Sequence, residues 1–350
     1  MGKTIVGVDI SSTEIRAAEL DGALKDRPAL VRYHAVALPP GAVHRGEVLE
    51  PKTVATAFKR LWSTGKFSTR DIVLGVGNAR VLARELTVPR MPIDSIRESL
   101  PFHVQEMLPF PTKDALLDFY PISESTDANG PVVNGLLVAT LKSVVVANVG
   151  AATLAGLNPV NVDLVPFALS RVLQRGARSA GTVAIVDVGA NTSTVVVTVN
   201  GVPQFVRIIA NGGDDLTNAL VTRLGMPAES AEQSKRAMGL SGQNAGPGIV
   251  DAASITFDVT SHLIGSLRDT LSYYASTRPG DLIDRIILSG RGASLRGFRE
   301  ALSDYTRLSV VMGDPLDSVT IARGADRSLQ AVGPNASLSV AIGLAMDNAA

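Results

Sequence analysis

Two stretches of this chain set an acidic residue at the end of an apolar run and follow it with a turn of small polar residues. In TIVGVDISSTEIRAAELDG the acid is Asp9, the turn is Ser11-Ser12-Thr13, and Arg16 lies on the returning run. In VAIVDVGANTSTVVVTVNG the acid is Asp187 and the turn is Gly189-Ala190-Asn191-Thr192-Ser193. Turn N–H groups so arranged can grip phosphate oxygens, and the carboxylate can face a hydrated metal ion. A single such Asp is weak information, because an Asp after a strand also caps ordinary turns. Its repetition in matching context points to a clamp with one half of a phosphate site in each half of the chain. Arg16 reads by default as exposed surface, although a cation there can point at the same phosphates.

Three further clusters bear on this chemistry, each with a plainer reading beside it. Asn211-Gly212-Gly213-Asp214 precedes a helical pattern, either as amides offered to a phosphate or as an Asp-capped helix start. Gly290 and Gly292, on either side of Arg291, would let a flat ring approach the backbone or would form an ordinary strand-to-helix turn. Glu232 and Lys235 share a helix face, as a surface ion pair or as ribose ligands.

Composition narrows the field. Cys is absent, so disulfides, thiolate catalysis and Cys-ligated zinc are excluded. The four His show no HExxH spacing, and neither GxxxxGK[ST] nor GxSxG occurs. Aromatics are 4% and the formal net charge is 0, which speaks against a single-strand stacking platform and against nucleic acid as partner. No signal-peptide pattern opens the chain. The longest apolar stretch, residues 135–157, is broken by Lys142, Ser143 and Asn148, so it reads as a strand and a helix rather than a membrane span. A soluble cytoplasmic protein is expected.

The elements that must position these residues follow from periodicity and turn chemistry. Asp21-Gly22 and Asn200-Gly201 predict hairpin turns after the second strand of each half. The first half continues with a strand near Leu30–Ala37, a helix over Thr53–Ser63 and a strand Asp71–Val76. Arg84–Pro89, a helix over Asp94–Leu108, strands at Asp114–Ser123 and Val132–Leu141, and a helix over Ser143–Leu157 read as a small α+β module set into the first domain. A strand Val160–Val165 and a helix Phe167–Arg175 lead to the second half. There the second hairpin, a strand at Gln204–Ile209 and a helix-rich segment from Asp214 to Ser276 come first. A strand Arg285–Leu288, a helix, a strand near Ser309–Met312 and a helix from Ser337 end the chain. Ser241–Pro247 reads as a loop. Alternating strands and helices after antiparallel hairpins predict mixed sheets covered on both faces, an α/β class.

Taken in order, these segments resemble the actin-like ATPase superfamily. VGVDISSTEIR is similar to its first phosphate loop, IVDVGANTST to its second, and LSGRGASLRGF to its adenosine loop. NVDLVPFALSRVL and SLSVAIGLAM resemble its two connecting helices. TVPRMPIDSIRESLPFHVQEMLPFPTKDALLDFYPI, NPVNVDLVPFAL and AEQSKRAMGL resemble the PilM family of type IV pilus assembly proteins, relatives of the cell-division protein FtsA.

The resemblance implies an actin-like two-domain fold with duplicated, ribonuclease-H-like cores. It implies a first core of 1–84 plus 160–178, an inserted module of 85–159, a second core of 179–211 plus 277–350, and a helical subdomain of 212–276. It implies ATP and Mg2+ in the interdomain cleft, with Asp9 and Asp187 facing the metal through water. Nucleotide contacts would come from Ser11, Ser12, Thr13, Arg16, Gly189, Asn191, Thr192, Ser193, Gly212, Gly213, Glu232, Lys235, Gly290, Arg291 and Gly292. The implied partner is the N-terminal cytoplasmic tail of a PilN-like membrane protein, docked beside the module and recruiting the chain to the inner face of the membrane. Self-association is also open.

Two departures stand out. Pro101 sits inside the module's helix and should kink it. Val165 stands where some relatives carry a water-orienting Glu before the Pro, leaving Asp163 as the only nearby catalytic candidate and at most a slow ATPase. A phosphotransferase or hydrolase on the same fold, and a filament-forming protein, are the alternatives.

Overall fold

Runs of Val, Ile and Ala bounded by small polar turns build the first sheet. The structure, a computed structural model, describes residues 4–240, 247–323, 325, 329 and 335–346. Strands β1 (Ile5–Ile10), β2 (Glu14–Asp21) and β3 (Ala29–Ala37) form an antiparallel meander. A short hairpin, β4 (Val43–His44) and β5 (Glu47–Val48), leads to helix α1 (Pro51–Gly65) and then to β6 (Asp71–Val76), parallel to β1. Period-two alternation sorts β1 between layers: Val6, Val8 and Ile10 pack with Val54, Phe58 and Leu61 of α1, while Ile5 faces the opposite core.

The Asp21-Gly22 turn differs from expectation. Gly22 does take φ +67°, but residues 22–28 separate the strands. Buried Ala23 anchors this longer loop, and Pro28, which has no N–H, ends it.

The module has a three-stranded antiparallel sheet: β7 (Leu82–Pro89), β8 (Ala115–Asp127) and β9 (Gly130–Leu141), in the order β7-β9-β8. Helix α2 (Ile93–His103) covers one face, where Ile96 and Leu100, with Val104 just beyond the helix, meet Phe119, Val133 and Leu137. These apolar residues are core, but the expected helix to Leu108 is not formed. Pro101 offers no N–H to the carbonyl of Arg97, and the helix stops two residues later, followed by a single turn at Gln105–Met107. The other face of the sheet joins the central core through Leu136 and Val138.

Helix α3 (Lys142–Leu154) and strand β10 (Asn158–Leu164) depart from the module expected over 85–159. Strand β10 pairs in parallel with β6, and Ala151 and Ala152 of α3 pack with the α1 side of the first sheet. Helix α4 (Val165–Leu173) then crosses to the second half.

Strands β11 (Thr182–Val188), β12 (Ser193–Val199) and β13 (Val202–Ile209) repeat the first meander. Here the turn is tight, with Asn200 at φ 49° and Gly201 at φ 83°, as a two-residue hairpin requires. Helices α5 (Gly213–Leu224), α6 (Ala228–Met238) and the 31-residue α7 (Pro247–Thr277) follow. Leu216, Leu220, Ala231, Ala252 and Ile255 form a core of their own, and the rest of α7 lies on the second sheet through Leu263, Leu267 and Tyr274. Strand β14 (Arg285–Ser289), helix α8 (Phe298–Thr306) and strand β15 (Ser309–Met312) complete that sheet. Residues 241–246 of the expected loop lie outside the described residues.

The chain then returns to the first sheet, contrary to a second core running to residue 350. Strand β16 (Thr320–Ile321) pairs with β3. Helix α9 (Ser339–Ala345) lies on β1 so closely that a Cβ at Gly7 would come within 2.2 Å of the Ala341 oxygen.

Apart from the added edge strand β16, the order β10-β6-β1-β2-β3-β16 coincides with β13-β12-β11-β14-β15 once the latter is reversed. Thus β1, β2, β3, β6 and β10 match β11, β12, β13, β14 and β15 in order and direction. One apolar core, built on α4 and α9, fills the space between the two sheets.

Candidate functional site

The duplication puts Asp9 and Asp187 at equivalent places, each one residue before the end of its strand. Asp9 pairs across to Arg16 on β2, and Asp187 pairs across to Thr194 on β12. Both face one cavity of about 900 Å³ between the two cores, within the range of small-molecule sites.

From the first core, Ser11, Ser12, Thr13 and Arg16 line the cavity. The turn is held by Ser11, whose N–H donates to the Glu14 carbonyl at 3.0 Å and whose Oγ accepts from the Glu14 N–H at 3.2 Å. The Ser12 Oγ is buried without a partner. From the second core, Gly189, Asn191 and Thr192 line the cavity, and the Asn191 Nδ2 donates to Asp214 at 3.0 Å.

Ser193 does not join them. Strand alternation turns it inward, where its Oγ donates to the Asn211 carbonyl at 2.8 Å, and Thr194 takes the place on the cleft. That exchange was readable, since the odd–even pattern of β12 begins at Ser193.

Gly212 and Gly213 do line the cavity, but their amides are already engaged. The Gly212 N–H donates to Asp215 at 2.7 Å, and the Gly213 N–H to the Gly189 carbonyl at 2.9 Å. Gly212 is needed for close packing, since a Cβ there would sit 2.4 Å from the Ala190 oxygen. Among the described residues, the amides of Ala190, Asn191 and Thr192 donate to no backbone carbonyl. Gly290, at φ +88°, brings the β14 loop within 2.3 Å, measured from an added Cβ, of the Val188 oxygen. Arg291 and Gly292 follow it along the wall.

Glu232 and Lys235 line the cavity and are an ion pair, at 2.5 Å, as the plainer of the two sequence readings has it. The Lys235 Nζ further donates to the Thr217 hydroxyl at 2.9 Å, and that hydroxyl donates to Glu232 at 2.8 Å, fixing α6 to α5. Thr217, and His44 and Arg45 from the β4–β5 hairpin, were missed. None lies in a recognisable loop motif.

Asp163 is not on this cavity. Its carboxylate is held by Arg171 one helix away, and Arg171 also donates to the Gly343 carbonyl of α9. It acts as a brace, and the catalytic expectation is corrected. Val165 does line the cleft, with its Cβ 2.8 Å from where a Cβ of Gly77 would stand.

The electrostatics are those of a crowded, half-closed site. Burial raises the Asp9 carboxyl above its ordinary range, an effect only partly offset by Arg16, whose Nη1 donates to it at 2.7 Å. Asp187 is raised to about 6, first by burial and then by the Asp9 charge, against a hydrogen bond from Ser289. Glu14 is held below its ordinary value. Burial alone would raise it, but Arg16 and Arg291 both donate to it.

The arrangement suits a nucleoside polyphosphate. Two turns with free donors, the orphan Ser12 hydroxyl and cations Arg16, Arg291 and Lys235 suit phosphate, and the Gly290–Gly292 loop leaves room for a flat ring. Among the described residues no three metal-ligating side chains converge. Two carboxylates with phosphate oxygens suit a hydrated divalent ion.

The chain matches the family described as Type IV pilus assembly protein PilM over residues 7–349. It is similar to the solved structure of a PilM-PilN type IV pilus biogenesis complex, with 26% identity and a TM-score of 0.83 over 98% of this chain and 99% of that one. The ethanolamine utilization protein EutJ from Carboxydothermus hydrogenoformans shares 15% identity and a TM-score of 0.58, over 99% and 91% of the two chains. MreB 5 of Spiroplasma citri bound to AMPPNP shares 12% identity and a TM-score of 0.51, over 89% and 92%. The fold is therefore the actin-like one, with the ribonuclease-H-like core duplicated.

Proposed function

For a chain that belongs to the PilM family of type IV pilus assembly proteins, we propose a nucleotide-responsive scaffold. Its cleft binds ATP with Mg2+, and its module side holds the cytoplasmic tail of a PilN-like inner-membrane protein. The observation that carries this reading is the pair of equivalent turns, Ser11–Thr13 and Gly189–Thr192, facing one cavity from two cores.

In this reading the amides of Ala190, Asn191 and Thr192 and the Ser12 hydroxyl hold phosphate oxygens, and Arg16 and Lys235 balance their charge. Asp9 and Asp187 hold the ion through its water shell. When bound, the ion screens phosphate charge. Val165 supplies no base for an attacking water, so the nucleotide acts chiefly as a ligand that ties the two cores together.

The similar complex pairs PilM with PilN, which supports a partner of that kind. In this chain a notch of about 230 Å³ opens beside the module, between Tyr120 of β8, Phe167 and Arg171 of α4, Arg175, and the turn at Gly201. Gln174 also lines it, and its Nε2 is buried without a partner. An extended tail offering carbonyl groups suits these donors, and the tilted Tyr120–Phe167 pair, 4.7 Å apart, suits an aliphatic anchor. Among the described residues no helix is long and apolar enough to cross a membrane. Attachment to the inner face of the membrane through the partner fits that observation.

Calorimetry with a synthetic tail from the accompanying membrane protein tests the proposal. The expected affinity is about micromolar, since a flexible tail must be ordered. Arg175→Glu should weaken it at least tenfold. No binding, with or without ATP and Mg2+, removes the scaffold role.

A further inference from the structure

One carboxylate ties the two walls of the cleft together without lining it. The Glu14 Oε1 accepts from the Arg16 Nε at 2.7 Å and from the Arg291 Nη1 at 2.9 Å. Arg16 belongs to the first sheet and Arg291 to the loop after β14 in the second. The two arginines line the cavity; Glu14 stands behind them. The far side of Arg16 holds Asp9, so the run Asp9–Arg16–Glu14–Arg291 crosses from one core to the other.

Local structure explains why Glu14 holds this place. It opens β2, its backbone is fixed by three bonds to Ser11, and two residues along the strand Arg16 points to the same face. The Glu14 side chain is 19% exposed, so the two pairs are sheltered, whereas Arg291 is 43% exposed and reaches in from outside.

We propose that Glu14 is a built-in counter-anion: with the cleft empty it holds Arg16 and Arg291 and latches the two cores, and an incoming polyphosphate must draw both cations away from it. The inference rests on the nucleotide reading above and concerns what sets the strength of that binding. Phosphate groups and the Glu14 carboxylate compete for the charge of the same two guanidinium groups. Glu14 therefore weakens nucleotide binding and keeps the ligand-free cleft closed. The effect should grow with the number of phosphates and shrink with salt, because its origin is electrostatic.

Glu14→Gln keeps the shape and removes the charge. The full-length chain, stripped of nucleotide, is titrated calorimetrically with ATP, ADP and adenosine in Mg2+ at low and high salt. The wild type and Glu14→Gln are compared with Arg291→Gln, which breaks the latch but also removes a cation. Glu14→Gln should bind ATP about three- to tenfold more tightly at low salt, ADP with a smaller gain and adenosine with none. Arg291→Gln should bind ATP no more tightly than the wild type. In ligand-free hydrogen exchange, the segments 11–14 and 290–295 should exchange faster in both variants. If the wild type binds ATP but Glu14→Gln binds it equally or less tightly, the inference is overturned alone. So is it if exchange is unchanged in both variants. A wild type that binds no nucleotide overturns the nucleotide reading, and the inference with it.

Discussion

If the cleft binds nucleotide as proposed, Asp187 is kept there at a cost to the ligand-free fold. Its carboxyl is raised from 3.8 to about 6, chiefly by burial, with the neighbouring Asp9 charge adding to it. Between these two values the folded protein keeps a proton that the unfolded chain has released. Stability from this group is therefore highest below pH 4, falls as pH rises through 6, and is at its lowest above that. Asp187→Asn should raise the melting temperature of the ligand-free protein at pH 7.5 by a few degrees, about 1–3 kcal/mol, with no gain at pH 4. The same variant should lose most of its Mg2+-dependent response to ATP. A variant destabilised at pH 7.5 would show that Asp187 is well compensated in the empty cleft. Val165 bears on rate at the same scale. With no carboxylate there and with Asp163 held by Arg171 off the cleft, hydrolysis should run at least 100-fold below the roughly 1–100 per second of active kinases. Phosphate release measured over hours checks this, and turnover near one per second would require another base.

The module meets the central core by one face of its sheet, through Leu136 and Val138, and α2 with the turn that follows it covers the other. Leu100, the fully buried residue by which α2 grips the sheet, should cost about 2–5 kcal/mol when cut to Ala. Hydrogen exchange should show the loss within residues 82–141. If the module serves the partner and not the nucleotide, Leu100→Ala should weaken tail binding while the ATP response is kept. Loss of both would mean the module supports the cleft as well.

These elements also mark where a sequence can be read. The strands of each meander were legible, because the unbroken apolar runs of β1 and β11 and the Asn200-Gly201 turn are local signals. The return of β16 and α9 to the first sheet was not, because pairing of Thr320 with Ala29 depends on contacts almost 300 residues apart. At the site, the turn residues were legible from type and spacing. That the amides of Gly212 and Gly213 are engaged elsewhere was not, nor was the link from Glu14 to Arg291. Both arise only when the loops are packed on one another.

At the scale of the whole molecule, two like sheets share one core through α4 and α9, and the cavity lies where their equivalent turns meet. A ligand held from both sides must stabilise the pair together, since separating the cores would cost it half its contacts. Binding to the folded state alone adds about 2.7 kcal/mol at a hundredfold excess over Kd, which in a chain of this size is several degrees of melting temperature. The most direct measurement is thermal melting of the nucleotide-free wild-type chain with ATP, with and without Mg2+. The account predicts a single transition that rises by several degrees with ATP and Mg2+ together and keeps rising with ligand concentration. A transition that ATP and Mg2+ leave unmoved at millimolar concentration would contradict it.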